Sequence, residues 1–180
     1  PFYPPELGQL EARNASPDRS HNETFDALVM NGLLGFGANI FLFISIFYFG
    51  LKWLGLIASA RERNLFIALW LVVGFAFALF FGAWRGWHWI GVALPAGMIL
   101  GFLIFLVGDA WRRYRTAGNL PDVWRALWLS ALIAGFIAHF VEIHFGIAIV
   151  STRTHFWFYA ALLVVIGMNQ LTEAAPADVM

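Results

Sequence analysis

Cysteine is absent from this 180-residue chain, and charge is scarce, with Asp, Glu, Lys and Arg making up 12% of the residues. The first absence excludes disulfides, thiol catalysis and cysteine metal sites, although it identifies no compartment. The second sets the chain apart from soluble domains, in which roughly 25% of residues are charged. Eleven basic and eleven acidic residues cancel to a net charge of zero. No basic surface for nucleic acid follows from that balance, nor any general attraction to acidic partners. A charged opening segment followed by a short apolar core is also missing, so no signal peptide is expected. What is abundant is apolar: 61% of residues are hydrophobic, including 19 Phe and 9 Trp, and the mean hydropathy is +0.72. Several apolar runs approach or exceed the ~20 residues that span a bilayer. The composition predicts an all-α polytopic membrane protein with about five transmembrane helices.

Along the chain, residues 1–26 form a polar, proline-rich segment, with a helical turn expected around Leu7 to Ala12. Opening on Pro-Phe-Tyr-Pro-Pro, it reads as the interior of a loop, so the chain is expected to be the carboxy-terminal part of a longer protein. Residues 27–171 form the helical bundle and 172–180 a polar tail. The first span is expected from about Ala27 to Ile57, with Gly32, Gly35 and Gly37 leaving room for a neighbouring backbone. Leu65 to about Ala83 makes a second span. The connection Trp84 to Trp89 carries three tryptophans suited to a membrane interface. A third span covers about Ile90 to Val107, and Asp109 to Arg125 reads as a basic loop. The fourth runs from about Ala126 to Val150 and the fifth from Phe156 to about Leu171, with Ser151 to His155 as the turn between them.

Charge bias orients this bundle. Lys52, Arg61, Arg63, Arg112, Arg113, Arg115 and Arg125 follow the first and third spans, and basic connections stay on the cytoplasmic side. Residues 1–26, Arg85 and the 151–155 turn are then extracytoplasmic, and the tail is cytoplasmic. His21, His88, His155, Arg19, Arg85 and Arg153 gather outside, with His144 and Glu142 near the outer boundary and His139 deeper. Chemistry is therefore expected at the outer face.

Three features there are candidates. Ser20 with Glu23 reads as a capping box, which places His21 in the first turn of a helix. There the positive end of the dipole favours neutral imidazole, a potential base, and attracts anions such as phosphate. His139 and Glu142, three apart within an apolar span, share a helix face and can pair, while His144 need not converge with them. That group reads as a hydrogen-bonded pair between helices, a metal or pigment site, or a substrate or proton contact. Arg85 and Arg153 read either as arginines snorkelling to lipid headgroups or as a bidentate phosphate clamp.

The pattern His21-Asn22-x-x-x-Asp26-x-Leu28-Val29-x-x-Gly32-Leu33-Leu34-Gly35 resembles the signature of O-antigen ligases and the related Wzy-type polysaccharide polymerases. The match covers about residues 18–40. The resemblance implies a glycosyltransferase of the bacterial inner membrane, with a polyprenyl-diphosphate-linked glycan as donor and no metal or other cofactor. The motif histidine, His21, would activate the acceptor hydroxyl. Asn22 would sit with it at the substrate, and Arg19, Arg85 and Arg153 are the outer-face arginines available for the diphosphate. Five spans after the motif exceed the number expected from that family. A different class of function also fits the composition: an accessory subunit of a larger photosynthetic or respiratory membrane complex, with other membrane subunits and the lipid bilayer as partners.

Overall fold

A computed structural model describes residues 20–114, 123–146 and 149–173, with backbone only for Tyr114 and residues 169–173. Every regular element among them is helical: α1 (Glu23–Trp53), α2 (Ala60–Arg85), a short 3-10 turn (Trp87–Trp89), α3 (Ile90–Tyr114), α4 (Val123–Glu142) and α5 (Val150–Glu173). The 1–19 segment with its expected turn, Arg19, Arg115 and most of the tail lie outside the described residues.

Four of these helices, α1 to α4, are long and apolar enough to cross a membrane. The fifth, α5, packs against α1 and α4. Its first turns carry Ser151, Thr152, Arg153, Thr154 and His155, so its apolar stretch runs only from Phe156 to Met168. The core is a stack of rings. Phe47 lies 5.1 Å from Phe102 and 6.3 Å from Trp70, and Phe140 packs edge-on against Phe43 at 4.8 Å. Such pairs each add about 0.5–1.5 kcal/mol beyond area burial. Together they draw α1, α2, α3 and α4 onto one centre.

The closest backbone approach is between α2 and α3. A Cβ added to Gly97 would lie 2.5 Å from Phe77 Cβ and 2.8 Å from Val73 O, and one on Gly101 would strike Leu69 O. Gly97 and Gly101 are four apart, the small-xxx-small spacing that lets apolar helices touch in lipid. Of the glycines in α1, Gly50 packs against Ile133, but the three near its start do not pack on a neighbour. A Cβ on Gly32 or Gly37 would meet nothing within 4 Å, and one on Gly35 would meet the helix's own Asn31. Their expected role in close helix packing is therefore corrected.

Gly32 instead breaks α1. Its φ of 65° and ψ of −168° are non-helical, a conformation open to glycine because it lacks a Cβ. Asn39 Nδ2 donates to Glu23 Oε1 at 3.3 Å, although the two are 16 residues apart. In an unbroken helix they would be about 24 Å apart. The 23–31 arm thus folds back beside the 33–53 arm, leaving an elbow whose Val29, Met30, Leu33 and Leu34 are largely exposed. The first expected span is in fact two helical pieces.

Other boundaries shift as well. α4 ends at Glu142 rather than continuing to Val150, because the carbonyls beyond it are taken by other partners: Ile143 O accepts from Glu23 N and His144 O from Asn22 Nδ2. The expected turn at Ser151 to His155 is the helical start of α5. Residues 109–114, read as loop, continue α3, where Asp109 is buried and paired with Arg112 and Arg113.

Candidate functional site

One end of the bundle gathers the start of α1, the Trp87–Trp89 turn, the turn after Glu142 and the start of α5. We call it the upper end. At its centre is Asn22. The side chain is buried, its Oδ1 accepts from Phe25 N at 3.2 Å, and its Nδ2 donates to Gly91 O at 2.8 Å and to His144 O at 2.9 Å. Asn22, rather than Ser20, is therefore the helix cap, and the capping-box reading is corrected. Ser20 is occupied elsewhere: its hydroxyl and its N–H both reach Asp26 Oδ1, at 2.7 and 3.0 Å. An asparagine wins the cap because its amide can donate twice while its oxygen accepts, which a serine hydroxyl cannot do.

His21 sits between these two anchored residues, exposed, with φ of 56°. It precedes the helix, and the first-turn placement expected for it is corrected. Left-handed backbone is uncommon for residues other than glycine and costs roughly 1–2 kcal/mol. The Ser20–Asp26 and Asn22 contacts on either side hold it there, with the imidazole turned outward.

Arg153, from α5, comes close to this segment. Its Nη2 lies 3.6 Å from Glu23 Oε2, two residues beyond His21. Glu23, Asn39, His139 and Arg153 line a small cavity of about 100 Å³. His139 Nδ1 is 3.3 Å from Glu142 Oε2, so the expected pairing along one face of α4 is present. Beyond His139, α4 and α5 diverge around a second cavity of about 280 Å³ that reaches Glu142, Thr152, His155 and Tyr159. His139 forms a wall of both.

His144 turns the other way. Its Nδ1–H donates to Phe140 O at 2.5 Å, and burial pushes the imidazole pKa down to about 4. It borders an apolar cavity with Val92, Pro95 and Phe145, apart from His139 and Glu142. Among the described residues, no three His, Asp or Glu side chains are placed to hold a metal. Arg85 is exposed and stacks on Trp84, 4.3 Å from the ring centre. No bond joins it to the His21 segment in the contacts described. Arg19 lies outside the described residues. Glu23, Asn39 and Asp26 complete the site; sequence reading gave Glu23 only a capping role and Asp26 only a place in the motif, and gave Asn39 none. Asn39 is found through the break at Gly32, which no local pattern announced.

The lower end is built from charge pairs and carbonyl ties. Arg112 binds Glu62 at 2.6 Å and also Asp109. Arg113 donates to Gly55 O at 2.7 Å, and Arg125 donates to Ile166 O and Gly167 O at 3.0 and 2.9 Å.

Long apolar helices, glycine-mediated contact and polar clusters at the two ends define, among the described residues, an all-helical polytopic membrane protein. No family model, curated protein or solved structure matches the chain.

Proposed function

We propose that this chain is the carboxy-terminal part of an O-antigen ligase-like glycosyltransferase, acting at the outer face of a bacterial inner membrane. It would move a glycan from a polyprenyl diphosphate onto an acceptor hydroxyl. The observation that carries this reading is the presentation of His21: an exposed imidazole on left-handed backbone, anchored on one side by Ser20–Asp26 and on the other by Asn22. A base held in place without being buried suits proton removal from an arriving hydroxyl.

In this mechanism His21 takes the acceptor proton as the hydroxyl oxygen attacks the anomeric carbon. The bond from that carbon to the diphosphate oxygen breaks, and the electron pair leaves with the diphosphate. Arg153, with Arg19 and Arg85 as further cations, offsets the charge on the leaving group. Asn22 serves by holding His21, since both amide hydrogens and the cap oxygen are already committed. The test is glycan transfer in membranes by the complete enzyme carrying His21→Ala. Transfer is expected to fall by roughly 10²–10⁴, whereas full activity would eliminate the mechanism.

The exposed elbow of α1, with Leu33 81% and Leu34 90% exposed, favours a second reading: a non-catalytic subunit of a larger membrane complex, with the elbow against a partner helix. Purification in fixed stoichiometry with such a complex would support it, and recovery of the chain alone would count against it.

A further inference from the structure

We propose that the cleft between α4 and α5 binds the sugar ring of a lipid-borne glycan, with the lipid chain lying along its apolar length. This rests on the transferase reading above and supplies a glycan subsite separated by His139 from the cavity that Glu23 and Arg153 line. The cleft holds about 280 Å³, enough for one ring and the start of a chain. Its floor is aromatic: Phe136 and Phe156 meet edge to face at 5.6 Å, and His139 lies over Phe156 at 5.2 Å.

The rim decides the ligand. Thr152 Oγ spends its hydrogen on Ile149 O at 2.9 Å, leaving its lone pairs. His155 Nδ1 faces Ser151 O at 2.7 Å. A carbonyl can only accept, so neutral His155 keeps its lone pair on Nε2. His139 points Nδ1 at Glu142, so its Nε2 is likewise an acceptor, and the Glu142 carboxylate accepts at both oxygens. With Tyr159 able to donate or accept, the rim is richer in acceptors than donors and favours a ligand that mainly donates. Phosphate oxygens do not donate, and a carboxylate repels them. Sugar hydroxyls donate in several directions, and the apolar face of the ring fits the phenyl floor. An ammonium headgroup also donates, but its hydrogens sit on one atom and cannot span acceptors on both α4 and α5 as hydroxyls spread round a ring can. The phosphate chemistry is left to the Arg153 side and the ring to the Glu142 side.

The test uses the full chain in lipid nanodiscs with a diazirine-bearing decyl glucoside as photolabel, located by peptide mass spectrometry. Labelling is expected within residues 135–159. Decyl glucoside should compete about tenfold better than decanol, the value of two modest hydrogen bonds. Decyl phosphate and decylamine should compete no better than decanol. Glu142→Ala and Thr152→Val should each weaken competition by the glucoside several-fold, and Glu142→Gln should retain more than Glu142→Ala. Both positions are at helix ends, and a monodisperse elution profile verifies folding. Equal competition by decanol, preference for the amine or phosphate, or labelling confined to other helices would overturn the proposal. His21→Ala should leave labelling unchanged. Labelling that persists while His21→Ala retains full transfer would refute the base and keep the subsite.

Discussion

The side-chain amide of Asn22 donates to the backbone oxygen of His144 at 2.9 Å, across 122 positions of sequence. The same nitrogen donates to Gly91 O, so one buried amide joins the start of α1, the start of α3 and the turn after α4. Replacing Asn22 by Ala removes the cap of α1 and leaves two carbonyls without this donor. The expected loss is about 2–4 kcal/mol. Asn22→Asp keeps the cap but turns acceptor oxygens toward two carbonyls, and should cost no less. Denaturant titration in mixed micelles measures both, and a loss below about 1 kcal/mol for either would mean the junction is held by other contacts.

Acid should loosen this same turn. The buried imidazole of His144 has its pKa lowered to about 4, against an ordinary value of 6.5. Between those values the unfolded chain binds a proton that the folded chain does not, so stability rises with pH through this window and is lost as pH falls. On going from pH 7.5 to pH 5 the contribution is about 2 kcal/mol. Melting at the two pH values, compared with His144→Phe, isolates it. An unchanged pH dependence in the variant would place the acid sensitivity elsewhere.

Three glycine substitutions should separate three roles. Gly97→Ala forces a Cβ against Phe77 and the Val73 carbonyl, and a loss of about 1–3 kcal/mol is expected. Gly32→Ala puts a side chain on backbone of positive φ and extended ψ, a region essentially restricted to glycine, at a cost of roughly 1–3 kcal/mol. Gly37→Ala meets open space and should stabilise by up to about 1 kcal/mol through helix propensity. Thermal melts of the three in one detergent should place the Gly37 variant above the parent and the Gly32 and Gly97 variants below it.

At the lower end, Arg125 reaches Ile166 O, Gly167 O and Trp53 O. Its planar fork serves carbonyls on two helices at once, which a lysine cannot reproduce. Arg125→Lys should therefore lower stability by about 1–2 kcal/mol despite conserving charge. Equal melting of the variant and the parent would show that charge alone matters at this position.

The apolar runs made the body of α2 and the start of α3 readable, because lipid leaves a spanning backbone little choice but helix, whereas the polar last turns of α3, from Asp109 to Tyr114, were read as loop. What stayed hidden depended on distant partners. Ser20 and Glu23 match a capping box, yet the completed box is at Ser59 and Glu62, where Glu62 Oε2 accepts from Ser59 N at 2.9 Å and Ser59 Oγ accepts from Glu62 N at 3.2 Å. Asn22 displaces Ser20 because Gly91 and His144 supply acceptors from remote parts of the chain. The break after Glu142 lies in a mostly apolar stretch whose composition suits an unbroken helix, and only the bonds to residues 22 and 23 draw it out. Within the candidate site, the His139–Glu142 pair was legible from its spacing of three. The approach of Arg153 to Glu23 was not, since it depends on α5 beginning at Val150.

The fold-back at Gly32 makes the His21 segment a clasp. Asn22, at the foot of the short 23–31 arm, donates to Gly91 of the α2–α3 hairpin and to His144 of the α4–α5 hairpin, and Glu23 N donates to Ile143 of the latter. A change in the spacing of those two hairpins would therefore pull on the backbone that carries the imidazole.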